Sequence, residues 1–163
     1  MYPVNLLLNN KSAKMNIQNF SIIGISVRTT NENEQSAKDI PAIWNRLLSE
    51  EILSKIPNKV SNDIVCVYTD YEKDHTKPYT TILGAIVSNL DLVPEGMTGK
   101  TIEGINYEKF TAKGNLAEAI VINEWIKIWN SDLKRTFTSD FEIYGENAQN
   151  AENAEVDIFI AIK

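Results

Sequence analysis

Hydrophobic positions recur with two periods along this chain, and the switches between them order its elements. FSIIGISVRT (residues 20–29) is rich in β-branched residues and reads as a strand. The polar loop NENEQ follows. Ser36 with Asp39 then resembles a capping box with the acid variant at its third position. Pro41 falls in the first turn, where its missing N–H is harmless. Ile40, Ile43, Trp44, Leu47 and Leu48 recur at helical spacing, so a helix is expected that ends before Pro57. DIVCVY (63–68) and YTTILGAIVS (79–88) read as strands joined by the charged turn EKDHTKP (72–78).

The second half repeats that order. VPEGMTGKTIEG (93–104) reads as a linker with three glycines, and INYEKFTAK (105–113) as a strand. Asn115 with Glu118 again resembles a capping box, opening a helix expected over residues 116–133. On that helix Ile122, Ile126, Trp129 and Leu133 form one stripe, with Val121, Trp125 and Ile128 as a shoulder. A stripe with an apolar shoulder must cover a second surface besides the sheet, either the other helix or a ligand cavity. SDFEIYGE (139–146) and EVDIFIAIK (155–163) read as the closing strands around ENAQNAENA.

Each half is therefore strand, helix, strand, strand, which predicts an α+β fold of tandem pseudo-twofold βαββ repeats with antiparallel sheets. The expected division is an N-terminal extension (1–19) and one domain (20–163) made of repeat one (20–90), a linker (91–104) and repeat two (105–163). Tyr68 precedes Ala85-Ile86 by the same interval that separates Tyr144 from Ala161-Ile162. That register sets Cys66 on Glu142 and Val67 on Ile143, and Trp44 and Trp125 hold comparable places in the two helices. A groove is expected at the seam of the repeats.

Bulk properties narrow the chemistry. The chain has 163 residues, 43% apolar, with a net charge of -6. That balance argues against a nucleic-acid surface, which needs a lysine and arginine footprint. No apolar run has the length of a membrane span or a signal peptide, so a cytoplasmic protein is expected; Val4–Leu8 is the longest early patch. The first fifteen residues read as a leader, a peripheral strand or an appended segment, with Met15 an alternative start. The single cysteine, Cys66, lies in an apolar strand and reads as a buried structural thiol. PEGMTGKT fails as a phosphate loop because Pro94 stands at its first glycine position. His75 is the only histidine and has no cysteine cluster or evident nucleophile partner, so neither a metal nor a cofactor is expected.

Glu142 is the sharpest candidate. Phe141 and Ile143 alternate with Glu142 and Tyr144, so one strand face is apolar and the other pairs a carboxylate with an aromatic ring. Facing water, it is an ordinary surface acid. Facing the seam, it is desolvated and needs a partner or a proton. No arginine or lysine is an obvious local mate, and a cationic ligand against aromatic faces is an alternative one.

VPEGMTGKTIEGINYEKFTAKG, EWIKIW, SDFEIYGE and VDIFIAIK resemble the gyrase-inhibitor-like small-molecule-binding domain, the effector-binding module of AraC- and MerR-type multidrug regulators, also found as free-standing integron-associated proteins. FSIIGISVRT, DIPAIWNRL and TTILGAIVS match its first half, so the likeness spans residues 20–163. It implies two long helices flanking a hydrophobic central cleft, and a glutamate in the middle of DFEIY that meets cationic lipophilic ligands, which maps onto Glu142. Tyr144 and Trp125 match family positions near the cleft; Trp44, Tyr68, Tyr79 and Phe110 join them by pseudo-symmetry. The regulators carry a DNA-binding domain that is not found here, so a stand-alone binder linked to transcription regulation or drug sensing is expected, monomeric or dimeric, with a protein partner left open. Two other functions stand beside it. One is a hydrolase of cyclopropane-type electrophiles using the same glutamate with Tyr144. The other is a gyrase-inhibitor-like protein-interaction module.

Overall fold

The computed structural model describes residues 13–163. Eight strands form one antiparallel sheet: β1 (Ala13–Ile17), β2 (Phe20–Thr29), β3 (Ile64–Thr69), β4 (Tyr79–Val87), β5 (Thr98–Ile102), β6 (Ile105–Gly114), β7 (Ser139–Tyr144) and β8 (Ala154–Ala161). Their order across the sheet is β1-β6-β8-β7-β3-β4-β2-β5. The helices are α1 (Ser36–Ser49), α2 (Ile52–Lys55) and α3 (Ile120–Trp129).

This order is the tandem βαββ arrangement. The first repeat places its strands as β3-β4-β2 and the second as β7-β8-β6, and the two meet back to back where β3 pairs with β7. Tyr68 to Tyr144 and Cys66 to Glu142 share one sequence offset, and Cys66 and Glu142 are themselves Cα partners. The pseudo-twofold axis therefore passes between those two residues.

The expected register slips by one residue further out. Cys66 pairs with Leu83, but Glu142 pairs with Ile158, so Leu83 corresponds to Ile158. Ala85 lies in the core on the helix side and Ala161 in the core on the opposite face. They are not counterparts, because a one-residue shift turns a strand position to the other face.

Several local expectations are corrected. Ser36 does not cap α1; Gln35 is the N-cap and its side chain accepts no capping bond, donating to Asp39 Oδ2 at 3.0 Å, and the Ser36 hydroxyl donates to Asn31 Oδ1 at 2.9 Å. Asn115 does cap, accepting from the Ala117 N–H, but the turn it opens is a 3-10 turn over Leu116–Glu118, and α3 starts only after left-handed Ala119. Helix one breaks at Glu51, whose φ is 51°. The linker holds edge strand β5 against β2. The stripe and shoulder of α3 are exchanged: Trp125 and Ile128 are buried, while Ile122 and Ile126 are 45% and 44% exposed. Asn123, Glu124 and Lys127 keep to one side of this short helix, and packing turns Trp125 and Ile128 to the sheet.

The first fifteen residues lie partly outside the described residues; from Ala13 the chain forms an edge strand on β6. Gly24 pairs with Gly84 where β2 and β4 approach so closely that a Cβ on either would strike the other strand's backbone.

Candidate functional site

Strand alternation turns Phe141 and Ile143 to one core and Asp140, Glu142 and Tyr144 to the helix side. A single row crosses the sheet through Phe110, Ile158, Glu142, Cys66, Leu83 and Ile25, and Glu142 is its only polar member. The Glu142 side chain is 1% exposed. Three neutral donors meet it: Tyr68 Oη at 2.9 Å and Trp125 Nε1 at 2.6 Å on Oε2, and Tyr144 Oη at 2.8 Å on Oε1. Among the described residues, no lysine, arginine or histidine forms an ion pair with it.

The arrangement obeys the pseudo-twofold. The equivalent tyrosines, Tyr68 and Tyr144, each hold one oxygen of a carboxylate that lies beside the axis. Trp44 of the first repeat packs edge-on against Tyr144 of the second at 4.7 Å, and Trp125 of the second against Tyr68 of the first at 5.3 Å. Each helix thus covers the other repeat's tyrosine. Only Trp125 adds a hydrogen bond to the acid.

Burial pushes Glu142 above the ordinary glutamate range, while the Trp125, Tyr144 and Tyr68 donors pull it back. Burial, then the neighbouring Cys66 and Glu142, raises Tyr68; burial and then Glu142 raises Tyr144. Both phenols therefore stay protonated and remain donors at neutral pH.

A small cavity of about 70 Å³ opens on the seam between α1 and α3. Its wall holds Tyr68, Tyr71, Tyr79, Trp125 and Trp129, with Asn31, Ser36, His75 and Arg135 among its polar groups. Asn31 ties the rim together: its side-chain N–H donates to the His75 carbonyl at 2.8 Å, and its Oδ1 accepts from Tyr79 Oη at 2.7 Å. Of the sequence candidates, Tyr68, Tyr79 and Trp125 line this cavity. Glu142 lies one layer behind, bonded to two of the lining rings, and Tyr144 and Trp44 flank it on the other side. Phe110 is half-buried against the same core, two strands from Glu142, and is not among the wall residues.

The sequence reading missed a second charged centre beside the first. Asp140 is fully buried and accepts from Arg135 Nη2 at 2.8 Å, Tyr71 Oη at 2.7 Å and the Ala161 N–H at 2.8 Å. Arg135 lies over the Phe137 ring at 4.2 Å, and His75 stacks on Trp129 at 5.6 Å. The available signal for Asp140 was its position two residues before Glu142, on the same face of one strand. Arg135, Tyr71 and His75 lie in loops, where no periodicity points to them. Among the described residues, no cluster of three or more histidine, cysteine or acidic side chains is placed to hold a metal, and no helix is long and apolar enough to cross a membrane.

The profile of the integron-associated effector binding proteins (Cass2) matches residues 15–162. The chain belongs to that family. YobU of Bacillus subtilis (strain 168), a regulator-like protein, is 33% identical over 145 residues, covering 86% of this chain and 90% of its own. An integron cassette protein from the mobile metagenome of Vibrio cholerae is 27% identical with a TM-score of 0.71, over 94% of this chain and 97% of its own. The structure of SAV2435 superposes with a TM-score of 0.73 at 16% identity, covering 94% of each chain, and shares the fold. Membership of the integron-associated effector binding family makes this a small-molecule-binding domain with regulator-related kin, in line with the resemblance read from the sequence.

Proposed function

We propose that this protein binds amphipathic organic cations in the aromatic cavity, with Glu142 as the counter-charge, and couples their presence to transcription regulation or drug sensing. The observation that carries the reading is a buried carboxylate with three neutral donors and no cationic partner among the described residues. Such a group keeps an unbalanced negative field directed through the rings that cover it. Tyr68 and Trp125 give their O–H and N–H to that carboxylate and turn their rings to the cavity. Donation to an anion enriches each ring in electron density and strengthens its attraction for a cation, worth about 0.5–2 kcal/mol per aromatic face. Arg135 does not cancel the field, because Asp140 neutralises it locally.

Two of the structural relatives support the reading. SAV2435 has been seen bound to tetraphenylphosphonium, a lipophilic cation. EcmrR, of which the fold spans 58%, was seen in complex with DNA. The test is a titration of tetraphenylphosphonium, a rhodamine dye and a quaternary ammonium into wild type and Glu142→Gln. Loss of the buried charge is expected to weaken each by roughly thirtyfold, about 2 kcal/mol. Equal affinities would remove the counter-ion role.

A further inference from the structure

The cavity has a second polar end that a simple cation leaves unused. Arg135 is 7% exposed and lines the cavity. Asp140 takes only its Nη2, and it also accepts from the Tyr71 hydroxyl and the Ala161 N–H. Arg135 Nε and Nη1 are buried and have no hydrogen-bond acceptor among the described residues. His75 Nδ1, on the same wall, is likewise buried and unpartnered. Three N–H donors of a guanidinium without acceptors are costly in a protein interior, where almost every buried polar group is satisfied. A purely structural ion pair at this position would also be expected to use the guanidinium fork. Tyr71, Phe137 and Trp125 set their rings around the guanidinium, and among the described residues no acceptor meets its Nε or Nη1.

We propose that the ligand is bipolar: an aromatic molecule whose cationic group is drawn by Glu142 and whose carboxylate, or comparably strong acceptor, completes Arg135 and His75 at the other end. This rests on the cation reading above and adds the second half of the recognition. The two ends are distinct. Glu142 acts from behind Tyr68 and Trp125, whereas Arg135 stands beyond Trp125, its guanidinium carbon 5.9 Å from that ring.

Three matched probes separate the ends: para-trimethylammonio-benzoate, which carries both charges; its methyl ester, which keeps the cation alone; and para-tert-butylbenzoate, which keeps the carboxylate alone. Titration calorimetry on the full chain is expected to show the zwitterion binding roughly tenfold or more tighter than the ester, the worth of a charge-assisted hydrogen bond. An ester that binds as well as the zwitterion overturns the carboxylate assignment and leaves the cation reading intact. A tert-butyl probe that binds as well as the zwitterion overturns the cation reading instead. No measurable zwitterion binding at millimolar concentration overturns the proposal. Arg135→Lys, which keeps a charge for Asp140 but replaces the planar guanidinium fork with a compact ammonium, is expected to shrink the zwitterion-over-ester preference several-fold, and an undiminished preference overturns the Arg135 assignment. Because the probe comparison is made in wild type, the proposal does not depend on that variant folding.

Discussion

Cys66 faces Glu142 directly across the β3–β7 ladder, and these are the residues that the offset between the repeats carries onto each other. The duplicated strands thus meet at the point where one repeat has a thiol and the other a carboxylate. Burial, and then the adjacent Glu142, raises the Cys66 thiol well above its ordinary value. A thiolate is the reactive form, so the native protein should resist a thiol-specific reagent and label fully once denatured. Rapid stoichiometric labelling of the native chain would mean that the seam opens readily.

The pH dependence of stability follows from Glu142. Its folded-state pKa is raised, so the native state retains a proton that the unfolded chain has released. That contribution is complete below the ordinary glutamate range and is lost as pH rises through the folded-state value. Glu142→Gln does not titrate. Its melting temperature relative to wild type should therefore increase as pH rises from the ordinary glutamate range through the folded-state value. Thermal melts of both proteins across that range provide the check, and a constant offset would show that Glu142 does not titrate there.

Tyr68 and Tyr144 divide one carboxylate between them. Each Tyr→Phe change removes a hydrogen bond to a buried charged group and is expected to cost about 1.5–3 kcal/mol in urea unfolding. The double variant should depart from additivity by roughly 1 kcal/mol, because both single changes act on the protonation of the same acid. Additive losses would indicate two independent tyrosine contacts.

Arg135 and Asp140 form a pair whose side chains are 4% and 0% exposed. Arg135→Met leaves Asp140 buried beside an apolar side chain and is expected to destabilise the fold by about 3–5 kcal/mol. Adding Asp140→Asn, which keeps an acceptor for the Ala161 N–H, should recover at least about 1 kcal/mol of that loss. Chemical denaturation of the wild type and the two variants measures both. A double variant no more stable than Arg135→Met would show that the arginine acts by packing over Phe137 rather than through its charge.

The chain by itself settled what is local. The period of two in DFEIY put Phe141 and Ile143 on one face and Glu142 and Tyr144 on the other, because covalent geometry alternates side chains along any strand. The order of the six repeat strands and the two main helices, and the matching of Cys66 with Glu142, were likewise legible in the pattern and spacing. The tertiary structure decided what the acid meets. The Tyr68 hydroxyl reaches it from 74 residues away, and only the pairing of β3 with β7 sets that contact. Arg135, His75 and Tyr71 converge from loops without periodicity, and the packing of α3 decided that Trp125 rather than Ile122 is buried. Faces are fixed along one strand by bond geometry, whereas partners are chosen by register and loop closure, which depend on the packing of the whole sheet.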